Sequence, residues 1–499
     1  MERTTLAWLA FGAYLVITTG LALRGMRKTK SLAGFALGNG DMGPLLVGIT
    51  LAASVASTAT FVINPGFVWK DGLSALLHFG LAGAGGVTVG LIVLSKGFRR
   101  LGKEHAALTL PHWLGSRYRS PAMRTYFALL NLALAISFVV LIIKGSALVM
   151  QVTLGLSYGW SVVLIVGFVF SYILMGGTYA HAYTNALQGT LMIVVALAIF
   201  ASGLHLFADG GVSGFMDQLA ARDPQLTGAT NASSFLFSTP FEVFVCGFVV
   251  SFGLVCQPHI LMKSLYLRSD RDVNRYLVIA AVIGVVFALI LVAGLYARVA
   301  YPELDGAAQD TIMASYIGKA FSPVAGVLIS VALLAAGMST MDGILVSAST
   351  IAGSDLFLGA LGEKLAPKAT DEERQQLALK ASRAILVAMG AVAFVLALNP
   401  PELVGLFAQT GIYGLVAASL APVTFGVFAK NPDGRWAFAA ALVGPAVHFT
   451  HFFVSTYGLG APINPAVTAT EGVAASTLVL AVAAFATRPS AAPLPSAAE

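Results

Sequence analysis

Apolar runs, repeated from one end of the chain to the other, restrict this sequence more than any other feature. A helix rising 1.5 Å per residue needs about 20 predominantly apolar residues to cross the hydrocarbon core of a bilayer. Thirteen runs of roughly that kind occur in 499 residues. Composition agrees, with 57% hydrophobic and 10% charged residues and a mean hydropathy of +0.84. A soluble domain carries about 25% charged residues. The chain is therefore expected to be an all-α polytopic protein of the lipid bilayer. No stretch is long and polar enough for a separate soluble domain. The first run, Leu6 to Leu23, leads into basic residues rather than a small-residue cleavage site, unlike a signal peptide. The net charge of +6 comes from residues at helix ends and does not point to nucleic acid. Cys246 and Cys256 share one apolar run, which suits packing rather than a disulfide framework or metal site.

The expected spans are a leading helix at 5–24 and ten helices near 44–69, 74–96, 125–153, 157–175, 184–207, 240–263, 277–299, 321–350, 384–399 and 402–429. Two trailing helices near 436–455 and 469–487 complete a single transmembrane domain. With the N-terminus outside, 23 Lys and Arg fall in inner segments and 5 in outer ones, and Lys144 makes up the 29. This bias predicts a cytoplasmic C-terminus. The segments 44–208 and 240–429 then have opposite topologies, as inverted repeats do.

Each half begins with an interrupted helix. The first has the small, hydroxylated centre AASVASTAT (52–60) followed by Asn64-Pro65-Gly66, and the second has Gly253 and Cys256-Gln257-Pro258-His259. Breaks at corresponding positions of two inverted halves point to a transporter's midplane site. The run 321–350 carries Ser339, Thr340, Asp342, Ser347, Ser349 and Thr350, with Gly337 and Gly343 among them. Hydroxyls and glycines serve close helix packing. Asp342 needs a different explanation, because a carboxylate in hydrocarbon is expensive and belongs in a bundle interior or a wet cavity.

These segments resemble the sodium:solute symporter family over nearly the whole chain. SLAGFALGNGDMGPLLVGITLAAS (31–54) is similar to the family's approach to its first core helix. GGTYAHAYTNALQGTLM (176–192) resembles its most diagnostic segment. Gln257-Pro258-His259 is similar to the proline-permease type, and AAGMST (335–340) to the sodium-binding stretch. The resemblance, closest to proline, pantothenate and monocarboxylate permeases, implies a leucine-transporter-like 5+5 inverted-repeat core and symport of a small organic solute with sodium. It places a sodium ion on the carbonyls of Ala53, Ala56 and Ala336 and the hydroxyls of Ser339 and Thr340. Five neutral oxygens independently suit a monovalent cation, and unwound backbone frees the carbonyls.

One departure stands out. The family's usual Thr-Asp reads Thr184-Asn185 here, and Asp342 stands where relatives with two sodium ions carry a hydroxyl. The expectation is that Asp342 and Asn185 keep a second cation or proton site; the alternative is that Asp342 pairs with Lys144. Lys144, far from either end of its helix, would bind either that aspartate or a substrate carboxylate. Thr58, Thr60 and Asn64 would line the substrate cavity or serve packing. Gln257 and His259 follow the second break, near substrate by resemblance, although His259 is accounted for equally by capping freed backbone groups. His181 is expected at the interface.

Other functions fit less well. No HExxH, His-rich cluster or P-loop glycine motif argues for an enzyme or an ATP-driven pump. The tail after Arg488 leaves a transport-like sensor no signalling domain. A proton-coupled carrier of the same fold is the closer alternative.

Overall fold

The computed structural model describes residues 3–27, 32–38 and 42–486. Lys28, Lys30 and Arg488 of the charge count, and Ser31 and residues 39–41 of the quoted motif, lie outside them. Among the described residues the regular structure is entirely helical, with no strands.

We number the long apolar helices in chain order: α1 (Arg3–Met26), α2 (Pro44–Val55 with Ala59–Asp71), α3 (Leu73–Glu104), α4 (Pro121–Leu154), α5 (Tyr158–Ile173), α6 (Gly177–Phe207), α7 (Phe241–Leu254 with Pro258–Tyr266), α8 (Asp270–Ala300), α9 (Pro323–Leu361), α10 (Asp371–Leu398), α11 (Val404–Phe428), α12 (Gly434–Gly458) and α13 (Pro465–Phe485). Among the described residues, ten are long and apolar enough to cross a membrane singly, the bent pairs α2 and α7 bring the number to twelve, and α5 is a shorter apolar helix.

The breaks follow from local chemistry. In α2 the axis turns by 55° where Ala56 leaves helical geometry at φ −84 and ψ 100. The first half thus ends among Ala and Ser residues that hold the turn together weakly, and its last carbonyls lose their helical partners. In α7 the turn is 65°, and Pro258 restarts the helix after an extended Gln257, as proline at a first helical position does. Between α5 and α6, Gly177 takes φ 60 and ψ −160. Phe35 packs where a β-carbon would sit, at 2.6 Å, so both conformation and space call for glycine there.

α9 lies deepest, with nearly every residue from Val327 to Ile351 buried. It packs against α4, α6 and α1, while α12 and α13 pack on each other and on α11. Several boundaries differ from the sequence expectation: α3 runs on to Glu104 rather than 96, α8 starts at Asp270 rather than 277, and α9 runs on to Leu361 rather than 350. α10 starts at Asp371 rather than 384, because Thr370 and Glu373 form a capping box over a polar first turn. Between the expected spans 184–207 and 240–263 lies a further helix, Gly211–Arg222. Cys246 and Cys256 are both buried and free.

Candidate functional site

The first break in α2 meets the middle of α9. Ser339 Oγ lies 2.7 Å from the Ala53 carbonyl oxygen and 2.8 Å from that of Ala336. Thr340 Oγ1 lies 3.2 Å from the Ser54 carbonyl oxygen and 3.5 Å from that of Ala53. Ser339 and Thr340 are fully buried. Three carbonyl oxygens thus crowd two hydroxyls that can donate only one proton each. An acceptor-rich cluster of neutral hard oxygens of this kind suits a dehydrated monovalent cation. Ala56, the first extended residue of the break, faces the neighbouring cavity.

Beside this cluster runs a second polar group. Asn185, on α6, donates through Nδ2 to Ser54 Oγ and to the Ser339 carbonyl, both at 3.0 Å. Its Oδ1 is buried without a hydrogen-bond partner among the described residues. Asp342 is fully buried and accepts from the Tyr172 hydroxyl and, at 3.3 Å, from the Thr184 hydroxyl. Gln188 bridges to α1 through Tyr14 Oη at 2.8 Å.

Lys144 corrects the proposed pairing with Asp342. Its ammonium donates to Asp310 Oδ2 at 2.8 Å and to the Pro401 and Glu402 carbonyls at 3.0 and 2.9 Å. Three donors meet three acceptors, so none is left for a substrate carboxylate in this arrangement. The lysine instead ties α4 to the loops before α9 and α11. His181 is also displaced from expectation: it is buried rather than interfacial, with Nε2 2.8 Å from Lys263 Nζ.

A cavity of about 540 Å³ adjoins the break and runs between α2, α3, α7, α8 and α11. Thr60, Asn64, Ser57 and Gln409 supply polar lining amid mostly aliphatic side chains. Lys96 and Asn274 mark its limit towards the basic-loop ends of α3 and α8. Thr58 lies elsewhere, wedged between α4 and α9, with its methyl against Gly145 and its hydroxyl facing Gly337. Gln257 and His259 line a separate small cavity of about 20 Å³ with Asn131 and Ser347. The sequence reading missed Tyr14, Tyr172 and Gln188, which look like ordinary residues of their spans. It also missed Lys263, which it counted with the inner basic residues.

Broken helices with freed carbonyls, buried hydroxyls facing them and a cavity alongside define a secondary carrier. The chain belongs to the sodium:solute symporter family, whose profile matches residues 35–444, and it is a sodium-coupled solute symporter. It is 27% identical to the sodium/pantothenate symporter of Escherichia coli over 447 residues, covering 87% of this chain and 88% of that one. It is 25% identical to the high-affinity proline transporter of Bacillus subtilis, covering 84% and 86%. Among solved structures, a sodium-coupled sialic acid symporter in a substrate-bound outward-open state aligns with a TM-score of 0.76 at 18% identity, covering 97% and 98%. A nucleobase-cation-symport-1 family transporter aligns at 0.55 and 13%, covering 89% and 92%. These two establish the leucine-transporter-like fold alone.

Proposed function

We propose that this carrier moves a small carboxylate-bearing solute, of the pantothenate, amino acid or monocarboxylate kind, inward with sodium across the cell membrane. Its N-terminus would lie outside and its C-terminus in the cytoplasm, with 44–208 and 240–429 as the inverted repeats. The observation that carries the reading is the approach of Ser339 Oγ to the Ala53 carbonyl at 2.7 Å, directly beside the cavity. Sodium is the cargo of this oxygen cluster, held by carbonyls of Ala53, Ala56 and Ala336 and the hydroxyls of Ser339 and Thr340. A bound cation would draw the first half of α2 and α9 together and thereby set the cavity wall.

The solute would lie against the second half of α2, whose N-terminal, dipole-positive end borders the cavity at Ser57, Ala59 and Thr60. Asn64 and Gln409 add neutral amide donors. A carboxylate held this way requires no buried lysine, consistent with the engagement of Lys144 elsewhere. Uptake into proteoliposomes under an inward sodium gradient, screened over pantothenate, proline and short monocarboxylates, tests the proposal. Saturable, sodium-dependent uptake of one of these solutes supports it; transport only of solutes that carry no carboxylate refutes the substrate class.

A further inference from the structure

Among the described residues, three charged side chains at 4% exposure or less are outside a direct ion pair: Asp71 at the end of α2, Asp342 and Lys263. Asp310 has Lys144 and Asp355 has Arg124. Asp342, at 0% exposure, has as its described partners only hydroxyls, those of Tyr172 and Thr184. Lys263, at 1% exposure, has His181 Nε2 at 2.8 Å as its described partner. The two are nevertheless neighbours. Thr184, which donates to Asp342, lies three residues along α6 from His181, so both occupy one face of that helix. A β-carbon on Gly343 would stand 3.2 Å from the His181 ring and 3.4 Å from His259. The ammonium and the carboxylate thus share the His181–Thr184 face of α6, each within the other's field, with Tyr14, Tyr172, His181 and His259 as the other titratable groups around them.

We infer that Lys263 is a tethered cation, standing in for a second mobile cation as the counter-charge of Asp342. An isolated buried carboxylate or ammonium is strongly destabilising, and an opposite charge nearby lowers that penalty for each. Asp342, the Thr184 hydroxyl bonded to it and, from the next residue of α6, the unpartnered Oδ1 of Asn185 supply oxygens for a small cation. A sodium ion placed there would share its carboxylate with a like charge that the chain itself supplies. The carrier would then bind one sodium ion, at the cluster formed by Ala53, Ser339 and Thr340. This inference rests on the sodium reading of that cluster and fixes its stoichiometry.

The test is equilibrium binding of radioactive sodium to the purified full-length carrier. The wild type is expected to bind one sodium ion per chain with a Hill coefficient near 1, as is Lys263→Arg. Lys263→Gln should bind two, and Lys263→Gln combined with Asp342→Asn should return to one. Two sodium ions on the wild type, or one on a folded K263Q protein, overturns the inference. If K263Q does not fold, the wild-type count still decides. No sodium on the wild type would instead defeat the sodium-cluster reading itself.

Discussion

Ser339 Oγ sits 2.7 Å from the carbonyl oxygen of Ala53, joining the deepest helix of the protein to the end of a broken one. The contact spans 286 residues of sequence. Its partners are oxygens that ordinary helix geometry would have satisfied, and it sits where a cation would most strongly alter the relation between the two helices.

Removing one hydroxyl from that cluster should weaken sodium more than the fold. Ser339→Ala and Thr340→Ala are each expected to raise the sodium concentration for half-maximal uptake roughly tenfold, the loss of about 1.4 kcal/mol. The melting temperature of the purified protein should move little. Sodium titration of uptake, paired with thermal unfolding, separates the two effects.

The Lys144–Asp310 pair should behave oppositely. Both side chains are largely buried, at 12% and 6% exposure. Breaking such a pair by removing one partner costs about 3–5 kcal/mol because a buried charge is left alone. Lys144→Met or Asp310→Asn should therefore lower the melting temperature clearly. The double variant should recover part of the loss, while sodium affinity in the surviving folded protein stays near the wild-type value.

Gly337 is predicted to be intolerant of a single methyl group. A β-carbon there would lie 2.4 Å from Ser146 Oγ and 2.5 Å from Thr58 Oγ1, at the seam of α2, α4 and α9. Overpacking of this kind costs about 1–3 kcal/mol, so Gly337→Ala should lower both stability and uptake. Gly12→Ala, with nothing within 4 Å, is the control and should be neutral. Combining Gly337→Ala with Ser146→Ala should restore part of the loss.

Outside the spans, His112 gives a pH signature. Burial, aided by Arg124 and His105, pushes its pKa down to about 4, so the unfolded chain binds a proton between about pH 6.5 and 4 that the folded chain refuses. Stability should fall as pH drops through that window, and His112→Gln should flatten the fall in an unfolding titration.

The spans, the two breaks and the Ser339–Thr340 pair were legible in sequence because each leaves a local mark: apolar length, Pro and Gly, or hydroxyls in an apolar run. Partnerships between distant segments left no such mark. Asp310, which engages Lys144 from 166 residues away, reads as an ordinary loop acid. Lys263 reads as a member of the inner basic set, yet the second half of α7 continues past Pro258 and carries it into the interior. His181 was misplaced for a related reason, since the Gly177 kink folds the start of α6 inward against that lysine. Periodicity and composition report burial of a face, whereas partner choice depends on how the broken helices are angled.

The most direct test of sodium coupling through the Ala53–Ser339–Thr340 cluster is accumulation of labelled pantothenate by proteoliposomes, with sodium outside only or at equal concentration on both sides. Proline replaces pantothenate if the uptake screen selects it. The wild type should concentrate the solute only under the inward sodium gradient, and a Ser339→Ala, Thr340→Ala double variant should fail to do so at the same sodium concentration. Equal accumulation by the double variant, or wild-type accumulation driven as well by a proton gradient without sodium, would contradict the account.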